Sequence, residues 1–242
     1  MSSSNSSEST QILLEAKNLG LKLDGRWLFR KLDLQLKAGE FFAVTGPSGA
    51  GKTSLLQTIA GLREPSEGSI SYHFPEMMGK DEAKEQLGII FQDLLLIPNA
   101  SLLTNVLCGG LRNHSSLRTF FGFPSEERVA AYALLREFGL GEAFTKWTTE
   151  TSRGEQQRVA VARALHQDPA LYLADEPVAS LDAKSADLVL ARLAKEASEK
   201  KKGVSCVLHD LQQVQNYADR VLELDRENPE NWRIKSLQGD AK

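Results

Sequence analysis

Residues 46–54 read GPSGAGKTS, between an apolar run, Phe41 to Thr45, and a second apolar stretch of helical spacing, Leu55 to Ala60. The segment matches G-x-x-x-x-G-K-[ST], and a strand before it with a helix after it is the context in which that pattern folds as a phosphate-binding loop. Gly46, Gly49 and Gly51 let the backbone turn so that successive N–H groups converge on one point, with Pro47, Ser48 and Ala50 completing the turn. Lys52 adds a cation for terminal phosphates, Thr53 offers a hydroxyl to Mg2+, and Ser54 opens a helix whose first amides attract anions. Such a loop requires a buried strand that hands over to a helix, which commits the chain to an α/β architecture.

The remaining pattern agrees. Short apolar runs recur at Leu87 to Phe91, Leu171 to Ala174, Val204 to Leu208 and Val221 to Leu224. They do not alternate with polar residues, which suits strands covered on both faces, and helical periods such as Ala186, Val189, Leu190, Leu193 and Ala197 lie between them. A mostly parallel sheet flanked by helices is expected. Ile12 to Leu14, Leu19 to Leu23 and Leu32 to Leu36 read as separate shorter strands with turns at Asp24-Gly25 and Ala38-Gly39, predicting an antiparallel side sheet. From about residue 94 to 164 the texture shifts to helical segments joined by Gly, Asn, Ser and Pro stretches, an inserted helical subdomain. Residues 1–10 form a Ser-rich polar tail without a signal-peptide apolar core, expected to be disordered, and residues 227–242 form an extension with one strand around Trp232 to Ser236.

Composition removes several function classes. Lys and Arg number 29 against 32 Asp and Glu, a net charge of −3, so the chain has no broad basic field for nucleic acid. Its dense basic run, Lys200 to Lys202, falls where a helix ends and where cations complement the helix dipole. Mean hydropathy is −0.30 and no apolar span reaches membrane length. Cys108 and Cys206 are far apart and in no metal-ligand spacing, so a reducing compartment is expected.

Residues 170–182 read ALYLADEPVASLD, an apolar strand ending in two carboxylates. Adjacent acids at a strand end are commonly only solvated, but a phosphate loop in the same chain gives them work. Asp175 is placed to hold Mg2+, and Glu176 to accept a proton from an attacking water.

In these motifs the chain resembles the nucleotide-binding subunit of an ATP-binding cassette (ABC) transporter from about residue 11 to 226. Gln92 in IIFQD resembles that family's glutamine loop, Ser180-Leu181-Asp182 its D-loop, and His209 in CVLHD its switch histidine. Taken alone each has a plainer reading: a surface amide, a helix cap at Asp182, a structural histidine. The resemblance implies a P-loop NTPase core, with ATP and Mg2+ held by the phosphate loop, Asp175 and Gln92, and chemistry assisted by Glu176, His209 and Gln92. It further implies a head-to-tail homodimer in which Ser152, Gly154 and Asp182 face the partner's nucleotide. Transmembrane permease subunits, an external substrate-binding protein and a peripheral position on the cytoplasmic face of the membrane complete the expectation.

Residues 151–158 read TSRGEQQR, where the family's signature is LSGGQ or LSGGE followed by QQR. Thr151 and Arg153 depart from it. Glu155 follows closely, so the Arg153 guanidinium is expected to turn outward or to pair with Glu155. If Arg153 spoils the composite site, the chain is instead a nucleotide-gated module with weak hydrolysis. The family's adenine-stacking aromatic aligns with Leu23, and the nearest aromatic is Trp27, which can equally be core. Asn105-Val106-Leu107, Gly109, Leu117-Arg118, Phe121-Gly122-Phe123, residues 174–180 and Tyr217-Ala218-Asp219-Arg220 resemble phosphonate importer ATPases. That resemblance implies phosphonate or a related phosphorus oxyanion as cargo.

Overall fold

Alternate side chains of β3 (Phe41–Thr45) point to two different cores, and the whole molecule is organised around that division. In the computed structural model, which describes residues 11–74, 80–113 and 122–237, β3 is a central strand of a six-stranded sheet ordered β5-β6-β7-β3-β8-β9. The other strands of the sheet are β5 (Leu87–Ile90), β6 (Leu171–Ala174), β7 (Gly203–Val207) and β8 (Arg220–Glu223), all parallel to β3, and β9 (Arg233–Ser236), which closes one edge antiparallel to β8. The five apolar runs read from the sequence are β3 and β5 to β8, within a residue at either end.

Phe41 and Ala43 face a core shared with helices, together with Tyr172, Ala174, Val204 and Cys206. The helices are α3 (Leu102–Leu107), α4 (Ser125–Glu137), α5 (Arg153–Gln167), α6 (Ala183–Lys200) and α7 (Leu211–Tyr217). Phe42 and Val44 face the opposite core with Leu171, Leu173, Val207 and Leu222, under α1 (Lys52–Ile59) and a three-stranded antiparallel sheet ordered β2-β1-β4. A short helix, α2 (Lys80–Glu85), precedes β5. Burial on both faces is why these strands are runs of Val, Leu, Ile and Phe rather than alternations.

The side sheet is antiparallel as expected but differs in its strands. Ile12 to Leu14 and Leu19 to Leu23 are not two strands but one, β1 (Ile12–Leu23), paired along its length with β2 (Arg26–Lys37). Asn18, at φ 53°, bulges in the middle, and the register shifts between Ala16 and Leu19. The bulge interrupts the apolar alternation, which made one strand read as two. β4 (Glu67–Tyr72) has no apolar run, because only alternate residues touch the core. Residues 1–10, and with them the expected tail, lie outside the described residues, as do Leu117-Arg118 and Phe121. Among the described residues no helix is long and apolar enough to cross a membrane.

Candidate nucleotide site

Strand order assembles the site. In an open parallel sheet the loops at the carboxyl ends of neighbouring strands share one edge. β5, β6, β7 and β3 lie side by side, so Gln92, Asp175 with Glu176, His209 and the phosphate loop, which follow them in that order, come together there. Leu28, Ser48, Gly49, Gly51, Lys52, Thr53, Ser54, Gln92, Glu176 and His209 line one pocket. A second groove of about 270 Å3 continues from Thr53 and Asp175 past Gln92 to Phe91 and Leu95.

The loop between β3 and α1 holds its shape through glycine. Gly46, Gly49 and Gly51 have φ of 143°, 78° and 94°, and a Cβ at Gly46 would stand 2.6 Å from the Leu224 carbonyl oxygen. The Lys52 ammonium turns back into the loop and donates to the carbonyls of Gly46 (2.8 Å) and Pro47 (3.0 Å). Burial pushes the Lys52 pKa down, against the pull of the Glu176 and Asp175 carboxylates. A buried cation held only by backbone carbonyls, facing two acids across a cradle of glycines, is suited to a polyphosphate.

The Thr53 hydroxyl donates to Asp175 Oδ1 at 3.2 Å. Burial raises the Asp175 pKa; the Thr53 hydroxyl opposes the rise and the neighbouring Glu176 charge adds to it. Among the described residues no group of three or more His, Cys, Asp or Glu side chains could hold a metal by itself. Two hard oxygens beside a phosphate cradle nevertheless fit Mg2+, which takes one or two protein oxygens and completes its octahedron with phosphate and water.

Glu176, at φ 52° in the left-handed region, lies two residues beyond the end of β6. His209 Nε2 lies 2.7 Å from Glu176 Oε1, so imidazole and carboxylate form a pair at the mouth of the pocket. Beneath it Gln157 of α5, fully enclosed, donates from Nε2 to the Glu176 carbonyl (2.7 Å) and accepts at Oε1 from the Ser180 amide (3.0 Å). Sequence reasoning gave Gln157 no role. Its signal was a polar residue in register with Ala160, Val161 and Ala164 on the buried face of an amphipathic helix.

Ser152 caps α5: its hydroxyl accepts from the Glu155 amide at 3.3 Å, while Glu155 Oε2 accepts from the Ser152 amide and hydroxyl at 2.8 Å each. These bonds hold the Glu155 carboxyl below its usual range. Gly154 is closely packed: a Cβ there would stand 3.2 Å from the Ser180 carbonyl oxygen, which would have to give by a few tenths of an ångström. Asp182 caps α6, accepting from the Ser185 amide (3.0 Å) and hydroxyl (2.8 Å), so the plainer reading of Asp182 holds in the single chain. The expectation for Arg153 needs correction. Its guanidinium neither points to solvent alone nor pairs with Glu155, which Ser152 already occupies; it donates to the Gln92 carbonyl at 2.7 Å. Leu23 packs against the side-sheet core, Leu28 stands at the pocket, and Trp27 lies half-buried with the Arg30 guanidinium 4.6 Å from its ring centre.

A glycine cradle with a committed lysine, a Thr–Asp pair and a Glu–His pair at the carboxyl edge of a parallel sheet define a P-loop ATPase. The comparison with known proteins narrows the class: residues 29–179 match the family described as ABC transporter, and the chain belongs to that family as an ATP-hydrolysing subunit. It is 37% identical over 218 residues to a protein of Trichormus variabilis named Phosphonates import ATP-binding protein PhnC, covering 88% of this chain and 89% of that one. A protein of Oceanobacillus iheyensis named Phosphonates import ATP-binding protein PhnC 2 is 36% identical over 221 residues, covering 88% and 86%. Among solved structures, the dimeric ATP-binding cassette MJ0796 in a post-hydrolysis state with ADP and Pi has TM-score 0.79 at 29% identity, over 94% of this chain and 100% of that one. Another dimeric structure of the same bacterial ABC transporter cassette gives 0.80 at 30% identity with the same coverage.

Proposed function

We propose that this chain is the ATP-hydrolysing subunit of an importer for phosphonates or a related phosphorus oxyanion. The observation that carries the ATPase chemistry is the convergence of Lys52, Thr53, Asp175, Glu176, Gln92 and His209 at four adjacent strand ends. The cargo rests on the names of the relatives, together with the likeness around Asn105 to Gly109 and Tyr217 to Arg220.

Thr53 Oγ1, Asp175 Oδ1 and the Gln92 side chain would hold Mg2+, which when bound supplies a Lewis acid for the terminal phosphates of ATP. Lys52 exchanges the Gly46 and Pro47 carbonyls for phosphate oxygens, so its charge loses no hydrogen bonds on binding. Glu176 takes a proton from the attacking water, and His209 Nε2 holds the Glu176 carboxylate in place while it does so. A second copy of the chain joins head to tail, presenting Ser152, Gly154 and Asp182 to the nucleotide of the first. ATP binding closes this dimer and hydrolysis reopens it, driving permease subunits that dock on the exposed apolar residues Leu62, Leu95 and Ile97 beside the Gln92 groove. We read about residues 94–164 as the helical subdomain that transmits this motion, and place the subunit peripherally on the cytoplasmic face of the membrane.

The test is ATP turnover by this chain assembled with its permease in vesicles. Phosphonate-loaded binding protein should raise turnover several-fold, and the isolated chain should not respond. Stimulation by an amino-acid- or sugar-loaded binding protein instead would remove the cargo assignment.

A further inference from the structure

Two arginines of α5 grip the segment that follows β5. Arg153, in the first turn, donates to the Gln92 carbonyl at 2.7 Å. Arg163, nearer the other end, forks to the carbonyls of Leu95 and Leu94, also at 2.7 Å each. Between these anchors the backbone is unusual: Leu94 and Leu95 both have positive φ, 62° and 45°, and their amides bond back to Phe91 and Asp93. Consecutive left-handed leucines persist only where the surroundings over-determine them. The α5 arginines supply that determination.

We propose that Arg153 is a positioning residue which, by anchoring the Gln92 main chain, holds the Gln92 side chain over Thr53 and Lys52 and makes the Gln92 segment and the start of α5 move as one piece. Every other disposition of the guanidinium competes poorly. Glu155 is engaged by Ser152, and the contact of Gly154 with Ser180 and Leu181 fixes the helix start that carries Arg153. The two arginines differ in kind. Arg163 is half-buried and its fork is bidentate, so it anchors the carbonyls of Leu94 and Leu95, whose amides bond back into the turn around Gln92. Arg153 is exposed and makes a single bond that water can replace, which suits a latch that opens and recloses. Folding back onto its own chain also keeps the long cation out of the interface where the signature glycine would stand. This inference rests on the ATPase reading above.

The test is a double-mutant cycle between Arg153→Ala and Gln92→Ala, with hydrogen exchange on the nucleotide-free chain. Arg153→Ala should lower kcat by about fivefold and raise the Mg2+ concentration at half-maximal turnover by about threefold, the scale of one exposed charge-assisted bond. Affinity for metal-free ATP should stay within about twofold. In the Gln92→Ala background the same substitution should change kcat by less than about twofold, and Arg153→Lys should restore part of the loss. The amides of Leu94 and Leu95 should exchange about tenfold faster in Arg153→Ala, a readout that does not depend on hydrolysis. Equal effects of Arg153→Ala with and without Gln92, or unchanged exchange at these amides, would overturn the proposal. Absence of ATP turnover by the wild-type chain with exchange behaving as expected would refute the ATPase reading and leave the latch standing.

Discussion

Replacing Gln157 by Leu tests whether the site depends on a residue that never touches the pocket. Leu fills nearly the same volume, so little of the effect comes from a cavity. What is lost is one donor to the Glu176 carbonyl and one acceptor for the Ser180 amide. An unsatisfied buried polar group costs about 1–3 kcal/mol. Ser180 is exposed and its amide can turn to water, so the loss falls chiefly on the Glu176 carbonyl and amounts to about 2 kcal/mol. For a chain of this size that is a fall in Tm of about 4–8 °C. Turnover should suffer more than stability. Glu176 sits at φ 52°, a conformation costing a non-glycine residue about 1–2 kcal/mol, and Gln157 is the side chain that holds its carbonyl. Released, the backbone relaxes toward the β region and carries the carboxylate away from His209; a displacement of about 1 Å in a reacting group costs about a hundredfold. The assay is urea unfolding, read as a change of midpoint at constant slope, beside steady-state ATP hydrolysis by the same preparation. The expected result is kcat down about tenfold to a hundredfold with KM for ATP within about twofold, because the phosphate loop is untouched. A destabilised variant with wild-type kcat would refute the reasoning and reduce Gln157 to a structural strut.

Lys52→Ala should weaken ATP binding about tenfold to a hundredfold by titration calorimetry, since a charge-assisted contact contributes about 1.5–3 kcal/mol; unchanged affinity would defeat the phosphate-loop assignment. Glu176→Gln keeps shape but not basicity, so binding should persist while turnover falls about a hundredfold to ten-thousandfold, and ATP should trap a dimer visible by size exclusion. Asp175→Asn should raise the Tm of the nucleotide-free chain, by about 1 kcal/mol of stability, while abolishing Mg2+-dependent turnover. The sign follows from the pKa: burial raises the Asp175 carboxyl, so its charged form opposes folding at neutral pH and wild-type stability gains as pH falls through that raised value. The advantage of the Asn variant should therefore shrink in acid, as read by Tm at two pH values.

What was legible in the sequence was whatever a single chemical requirement writes into consecutive residues. The phosphate loop shows because its glycines, lysine and threonine must follow one another, and the core strands show because burial on both faces leaves an unbroken apolar run. The bulge at Asn18 was hidden because it breaks the alternation by which a one-faced strand is read, and β4 because only Ile70 and Tyr72 of its six residues are apolar, too few to show an alternation. Within the site, Gln157 and the partner of Arg153 were hidden for another reason. Their hydrogen bonds reach to Glu176, 19 positions away, and to Gln92, 61 positions away, so local pattern carries no trace of the partner. Glu155 looked like the natural partner of Arg153 by proximity, but capping Ser152 satisfies a backbone amide that has no other acceptor.

The position of β3 in the sheet has a consequence for how the protein is made. Both neighbours of β3 come from the far end of the chain: Phe41 pairs with Val204 on one side and Phe42 with Arg220 on the other. Until synthesis has passed Glu223, the strand that carries the phosphate loop has an open hydrogen-bonding edge, and closing each pairing means closing a loop of more than 160 residues. Emerging at about 5–20 residues per second, the N-terminal segment therefore waits on the order of ten seconds or more before its neighbours exist. Phe41-Phe42-Ala43-Val44 is an aggregation-prone edge during that interval, and a chain stopped short of β8 would keep the phosphate-loop sequence without the strand that closes β3's second edge.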